Sequence, residues 1–417
     1  MKIKLKYVFA VVLFFTCANC FAQDTIKIMA WNLLGYRNSP SNREQYYRKV
    51  IKYADPDIIT VNEIDGQSTV TGFLNNVMNY YTPGVYAAGI YINGFDTDNA
   101  IFYKVSKFQF LTNQPIATPL GRDVNNFVVR HIVSNQYVNI LGCHLKASTG
   151  SANEIRRANE VAAVRNVTNS YPAGTNFTMQ GDFNFYSSLD SAYKNMVRVV
   201  PGNEGQFIDP YPLVTGTYNN AAYSQYHTQS TRTRALSDSG ATGGLDDRFD
   251  FIFYSKAVKD TGGMYYIPNS CKPLGNDGLH YNDSINRRPN ASVPDSIADA
   301  LYGGSDHLPI ISLFKFTTVS AVSNISSFVP DKFFLKQNYP NPFNPVTNIE
   351  FDIPRSGNVK LTIFNSLGKE VSALVNERLS PGSYRASWDA SAFSSGMYFY
   401  KLEGESFSST KKMLLVK

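Results

Sequence analysis

Eight polar side chains fall where apolar runs stop: Asn32, Glu63, His144, Asp182, Asn184, Asp250, Asp306 and His307. The tightest grouping is Gly181-Asp182-Phe183-Asn184. A carboxylate and a carboxamide two residues apart offer a hard oxygen for a metal or a proton, and an amide that can donate to a phosphoryl oxygen. Alone, Gly-Asp-x-Asn occurs in many turns, an asparagine at a strand end usually satisfies a turn, and a lone histidine is more often structural. Taken together the eight match what hydrolysis of a phosphodiester demands: neutralising equatorial oxygens, activating water and protonating a leaving alkoxide. Glu63 supplies a hard oxygen for Mg²⁺ or a similar ion, and Asn32 and Asn184 position oxygens. Asp182 orients or deprotonates water, and the histidines move protons or bind the phosphate.

The elements that must position these residues read as an α/β arrangement. Ile26 to Asn32 is apolar enough for a core strand, Asn42 to Tyr53 has Tyr46, Tyr47, Val50 and Ile51 at helical spacing, and Asp57 to Asn62 is a buried strand with Glu63 at its end. Strand, helix, strand places Asn32 and Glu63 at one edge of a sheet. Further strands are expected at Ala100 to Tyr103, Phe127 to Val133, Tyr137 to His144, Phe177 to Met179, Phe249 to Tyr254 and Ile310 to Phe316. Gly181 is expected to end the strand before Asp182. Ser151 to Glu154 reads as a capping box opening a helix through about Val167. Leu189 to Leu245, rich in Tyr, Asn, Ser and Thr, reads as long functional loops.

Residues 1–22 combine Lys2, Lys4 and Lys6 with the apolar run Val8 to Phe15 and small residues at the cleavage positions, the pattern of a secretory signal peptide. Acylation at Cys20 is the alternative, but Cys17 and Asn19 fit it poorly. No other stretch is long and apolar enough to span a bilayer, so an exported, soluble, monomeric protein is expected. Cys143 and Cys271 remain after the leader, either as a disulfide or as two buried thiols. The formal charge of +6 includes the three leader lysines, and residues 331–417 hold 11 basic and 8 acidic side chains, which leaves 25 of each sign in 23–330. That balance lacks the basic excess usual in proteins that grip nucleic acid backbones, and it leaves the substrate open.

Trp31-Asn32, Asn62-Glu63, Cys143-His144-Leu145, Gly181-Asp182-Phe183-Asn184, Arg248 to Phe253 and Ser305-Asp306-His307-Leu308-Pro309 follow one another in an order that resembles the endonuclease/exonuclease/phosphatase superfamily, the fold of deoxyribonuclease I. The resemblance covers roughly residues 25 to 316. It implies a four-layer α/β sandwich and a metal-dependent phosphoesterase using Mg²⁺, or Ca²⁺ or Mn²⁺. By position, Glu63 resembles the metal carboxylate and Asp306 a carboxylate close to the metal. Asn32 and Asn184 resemble metal-adjacent or phosphate-contacting amides, His144 and His307 the histidine pair at the scissile phosphate, and Asp250 the carboxylate that orients His307. Arg122 resembles a phosphate-gripping arginine, and Asp98 is expected to partner His144. The other histidines, His131, His227 and His280, are expected to stay outside the chemistry.

From Phe333 short alternating strands separated by turn signals predict a small antiparallel sandwich, joined by a linker over 317–332. The stretches Gln337 to Pro345, Ser395 to Tyr400 and Lys411 to Lys417 resemble the C-terminal sorting domain of the bacterial type IX secretion system, which implies export across both membranes and that machinery as a partner. An ordinary sugar-binding or adhesion module is the alternative. The chain thus divides as 1–22 leader, 23–316 catalytic domain, 317–332 linker and 333–417 sorting domain. The expected function is a secreted nuclease acting on DNA or RNA; a sphingomyelinase-like phospholipid phosphodiesterase and an inactive surface-binding module are the competing expectations.

Overall fold

The chain fills one sheet, crosses to a second, and returns to the first. β1 (Gln23–Tyr36), β2 (Ile58–Ile64), β3 (Tyr86–Ala88) and β4 (Asn99–Lys104) begin the first sheet. The second is built from β5 (Phe108–Ile116), β6 (Val124–His131), β7 (Tyr137–His144), β8 (Phe177–Asp182), β9 (Phe207–Ile208) and β10 (Asp250–Ser255). β11 (Met264–Tyr266), β12 (Lys272–Pro273) and β13 (Ile310–Thr317) then complete the first, whose order is β11-β13-β1-β2-β4-β3 with β12 beside β13. The order of the second is β5-β6-β7-β8-β10-β9. These assignments come from a computed structural model that describes residues 23–36, 43–94, 98–119, 122–211, 218–260, 263–317, 322–326, 328–390 and 393–417. The expected leader, 1–22, lies outside the described residues.

Strand alternation decides which side chains go where. On β1, Ile26, Ile28 and Ala30 join a core with Phe127, Val129, Ile140 and Ile252 of the second sheet, which makes that core the layer between the sheets. The opposite parity of β1, Met29, Trp31 and Leu33, packs with residues of α1 (Glu44–Ala54) and α2 (Gln67–Phe73). On the far side, Leu141, Cys143, Met179 and Phe253 pack with residues of α3 (Ser151–Thr168) and α4 (Ser191–Val197). α5 (Lys256–Asp260) connects β10 to β11, and α6 (Asp295–Gly304) adds Ala298 and Leu301 to the outer core of the first sheet. Helix, sheet, sheet, helix is the four-layer α/β sandwich expected. Because both faces of the central strands are covered, β8 and β10 are buried along their whole length.

Several local expectations need correction. Gly181 does not end its strand: β8 runs through to Asp182 with Gly181 at φ +137°, where any Cβ would meet the Cys143 carbonyl oxygen at 2.0 Å. Ser151 is the first helical residue rather than a cap, since Gly150 occupies that position without a side-chain bond. Glu154 instead accepts from the Ser191 amide at 3.2 Å, tying α3 to the start of α4. The loop-like stretch from Leu189 contains α4, whose N-terminal amide at Ala192 is capped by Asp190 at 2.9 Å. Cys143 and Cys271 are separate buried thiols in different cores.

Gln23–Val319 form one compact unit and Ser320–Lys417 belong to another. The stretch expected as linker carries a strand, β14 (Val322–Ser326), paired with β19 (Gly382–Asp389). With β15 (Phe334–Leu335) and β16 (Val346–Ile353) these make the sheet β14-β19-β16-β15. β17 (Gly357–Asn365), β18 (Glu370–Leu379), β20 (Gly396–Gly404) and β21 (Phe407–Leu415) make the second, in the order β18-β17-β20-β21. Ile349, Phe351, Leu361, Ile363, Trp388, Tyr400 and Met413 fill the space between them. β18 escapes a sequence reading because its Glu, Ala, Leu and Arg content favours helix, and only pairing with β17 makes it a strand.

Candidate active site

The parity that sorts the core also collects the site. Asn32, His144, Asp182 and Asp250 share the alternation class of the inter-sheet residues on their strands. His144, Asp182 and Asp250 stand at strand ends, and Asn32, expected at one, lies within β1, which runs on to Tyr36, at the point where its register with β2 shifts. His144 lies beside Asp182 in the parallel β7–β8 ladder, and Asp250 lies opposite Asp182 in the antiparallel β8–β10 ladder. Asn32 reaches them across the gap: its Nδ2 donates to Asp182 Oδ2 at 3.3 Å and to Glu63 Oε1 at 3.0 Å. Glu63 has the wrong parity for this. It enters through a left-handed backbone, φ 60°, that breaks the alternation of β2. Asn184, at φ 51° just after β8, keeps the parity of Asp182, with Phe183 and Phe185 still in the outer core; its own amide donates to Asp182 Oδ1 at 3.1 Å and its Nδ2 to the Leu145 carbonyl at 3.2 Å.

Asp182 Oδ2 is the centre of the cluster, 3.4 Å from His144 Nε2 and 3.8 Å from His307 Nε2. His307 Nδ1 pairs with Asp250 Oδ2 at 2.7 Å, and His144 Nδ1 lies 3.9 Å from Glu63 Oε1. The two rings are in opposite electrostatic settings. Burial would lower His307, but Asp250 and Asp182 outweigh it and raise its pKa well above the usual value. Burial, followed by the charges of Arg122, His307 and Lys146, holds His144 well below it. Asp182 is pushed up to about 7, chiefly by burial, with His307 opposing. A site with one charged and one neutral imidazole about a shared carboxyl can both give and take a proton.

Arg122 is brought to the site, since its charge acts on both His144 and Asp182. Asp98 is not the partner of His144: its carboxylate accepts from the Gly94 amide at 2.7 Å and from the Tyr91 hydroxyl. Asp182 and Glu63 do lie beside His144, at 3.4 and 3.9 Å. Two of the histidines expected outside the chemistry are held elsewhere. His131 pairs with Asp24 at 3.0 Å and stacks on Phe316, and His280 pairs with Asp277 at 2.8 Å. His227 is fully buried.

Sequence reasoning missed the clamp that aligns these groups. Ser305 donates through Oγ to the Asn32 carbonyl at 2.7 Å and accepts from the His307 amide at 3.1 Å, while Trp31 Nε1 donates to the His307 carbonyl at 2.9 Å. Thr228 Oγ1 accepts from the amides of Phe249 and Asp250, each at 3.2 Å. Gln229 places its side-chain amide 2.6 Å from His307 Nε2. A carboxamide can offer N–H to a neutral ring or, rotated, oxygen to a charged one. Asn62 donates to the Cys143 carbonyl at 2.8 Å, a direct tie between the sheets, and its Nδ2 also meets Asn99 Oδ1 at 2.6 Å. Trp31, Asn62 and Ser305 stand in the motifs with no role given to them there, whereas Thr228, Gln229 and Asn99 stand in none.

Glu63 and Asp306 both bear on the buried Tyr47 hydroxyl, whose pKa burial raises first. Asn32 holds Glu63 Oε1, and the Ala241 amide holds Asp306 Oδ2 at 2.7 Å. Among the described residues no group of three His, Cys, Asp or Glu side chains is gathered for a metal ion. Mg²⁺ takes one or two carboxylates and completes its shell with water and substrate phosphate, so this oxygen-only donor set fits such an ion.

Residues 337–417 match the family described as the secretion system C-terminal sorting domain. The chain therefore carries a type IX sorting domain that directs it to the cell surface or beyond, and among the described residues no helix is long and apolar enough to cross a membrane. No curated protein matches the chain. Similar solved structures include D. rerio TDP2 complexed with a single-strand DNA product, at 17% identity and TM-score 0.46, over 70% of this chain and 98% of that one. An endonuclease/exonuclease/phosphatase family protein from Bacteroides thetaiotaomicron is 14% identical, TM-score 0.43, over 71% and 96%. The human Nocturnin catalytic domain with bound sulfate is 17% identical, TM-score 0.40, over 71% and 98%.

Proposed function

We propose that the first unit hydrolyses phosphodiester bonds of nucleic acids outside the cell, with a divalent cation of the magnesium type. The observation that carries this reading is the shared Asp182 carboxyl, with Asn32, His144 and His307 converging on one oxygen at 3.3, 3.4 and 3.8 Å. A cation bound by Glu63 and Asp306 would neutralise charge on the phosphoryl oxygens. Asp182 orients the attacking water and accepts its proton. His307, held through Nδ1 by Asp250, presents Nε2 to the phosphoryl group, where a charged ring offsets the negative charge that grows as the P–O bond breaks. His144 stands on the other side of Asp182 as a neutral proton carrier, and Arg122 adds fixed positive charge. Asn32 and Asn184 hold Glu63 and Asp182 in place while offering amide groups to the substrate.

The competing expectation of an inactive binding module sits poorly with so many titratable groups buried together, an arrangement with a stability cost that chemistry would explain. The test is hydrolysis of plasmid DNA, RNA and sphingomyelin by purified protein with Mg²⁺, Mn²⁺ or Ca²⁺. Cleavage of a nucleic acid that stops with EDTA and weakens in Glu63→Gln is expected. Turnover of sphingomyelin alone, or nuclease activity undiminished in EDTA, would overturn the reading.

A further inference from the structure

One buried carboxyl beside this site has no part in the reaction above. Asp247 is only 9% exposed, and among the described residues its Oδ1 meets no hydrogen-bond donor. Its backbone, by contrast, is fully committed: the amide donates to the Gln229 carbonyl at 2.9 Å, and its carbonyl accepts from Thr228 at 2.7 Å and Gln229 at 3.1 Å. The position is thus rigid while one carboxyl oxygen is left over. Burial and the neighbouring Asp246 push the group up to about 7, whereas a hydrogen bond from the Asn219 backbone and then the charge of His307 pull it down, so it lies within electrostatic reach of the phosphate-facing ring. An orphaned buried oxygen is expensive, and most such atoms in folded proteins find a partner.

An aromatic wall rises beside it. Phe249, 4% exposed, meets Tyr186 at 4.9 Å between ring centroids, and Tyr186 meets Tyr218 at 5.4 Å. Tyr186 is fixed: its hydroxyl accepts from the Ser148 amide at 3.1 Å, and the Arg157 guanidinium lies 5.2 Å from its ring centroid. Tyr218 is 49% exposed, and the chain beside it is tied to the neighbour of Asp247: the Asn219 amide donates to the Asp246 carbonyl at 2.7 Å. Tyr186 feels both Asp182 and Asp247. The wall therefore runs from the strand that carries Asp250 outward to a half-exposed ring, with an unpaired acceptor alongside.

We propose that Tyr218, Tyr186 and Asp247 form a nucleobase subsite next to the scissile phosphate, in which a base stacks on the Tyr218 ring and donates an N–H to Asp247 Oδ1. A planar ring bearing N–H donors satisfies both features at once, and stacking tolerates any base because each has a π face. A carboxylate accepts from exocyclic amino groups and so favours cytosine, adenine and guanine over an unpaired sugar. The inference rests on the nuclease reading of the site.

The experiment uses the purified protein and two labelled single-stranded oligonucleotides, identical except that one carries an abasic nucleotide at a chosen position. The unaltered protein cuts the bond flanking the base about 5- to 100-fold faster than the same bond flanking the abasic nucleotide, the range expected for one stacked base. Tyr218→Ala and Asp247→Asn shrink that ratio toward one, mainly through KM, while Tyr218→Phe, which keeps the ring, preserves it. Equal cutting of the two oligonucleotides by the unaltered protein, or variants that leave the ratio unchanged, would overturn the subsite without touching the nuclease reading. No cleavage of either oligonucleotide would remove the nuclease reading and the subsite with it.

Discussion

Asp182 and Asp250 stand directly opposite each other across the β8–β10 ladder, and the imidazole of His307 lies against both, 2.7 Å from Asp250 Oδ2 and 3.8 Å from Asp182 Oδ2. Two carboxyls facing each other in a buried layer would repel; the ring between them turns that repulsion into a field that keeps it charged. Asp250 is fully buried, and among the described residues its Oδ1 has no hydrogen-bond partner. Among the described residues its carboxyl has one hydrogen-bond partner, His307.

Asp250 and His307 should behave as one unit. Asp250→Asn keeps the shape and removes the charge, and His307→Ala removes the ring. Each is expected to lower kcat by about 10² to 10⁴, and the double variant to be little worse than the poorer single one. Rates of the four proteins, with circular dichroism to confirm folding, make the comparison. Losses that simply multiply would show that the pair does not act together.

Gly181→Ala is expected to damage both stability and rate. A methyl there would overlap the Cys143 carbonyl oxygen at 2.0 Å and press on Asn62 Oδ1 at 3.0 Å, at a residue with φ +137°. Since Cys143 pairs with Gly181 and His144 with Asp182 in the same ladder, parting the strands moves the catalytic pair. Urea midpoints should report a loss of about 2 to 4 kcal/mol. A variant as stable and as fast as the parent would contradict this close approach.

Asp247→Asn should make the protein more stable at neutral and alkaline pH. The folded-state value of about 7 lies above the ordinary 3.8. The stabilisation linked to its bound proton is therefore fully present below about pH 4 and is lost as pH rises toward 7. Removing the charge should add about 1 to 3 kcal/mol at pH 8, with the advantage shrinking as the pH falls to 4. Melting curves of parent and variant across that range test it, and an advantage independent of pH would point to a cause other than the buried carboxyl. A stabilising substitution at a rigid position is also what a binding residue leaves behind when removed.

Deleting Ser320–Lys417 should leave turnover intact and abolish delivery to the cell surface. The sorting domain has its own core between two sheets, and the candidate catalytic residues all lie in the other unit. Comparing kcat and KM of the shortened and full proteins, and tracking both in a host with type IX secretion, separates the two roles. A shortened protein that folds but is inactive would contradict this division.

Much of the site was already present in the order of residues. Runs such as Ile26 to Ala30, Tyr137 to Cys143 and Phe251 to Tyr254 must be strands, because only burial on both faces accommodates them. With the strands given, a period of two puts Asn32, His144, Asp182 and Asp250 on the inner faces at the same edge. That much is local chemistry, legible without coordinates. What the tertiary structure decided was pairing at long range: Asp98 going to Tyr91 and Gly94 rather than His144, Gln229 meeting His307, and Thr228 bracing the start of β10. It also decided the left-handed turn at Glu63, which takes its side chain out of the strand pattern. These outcomes depend on how two sheets and one long loop settle against each other, through contacts between residues tens to hundreds of positions apart. Alternation along a strand carries no record of such contacts, because it fixes the face of each side chain and not the neighbour it will find there.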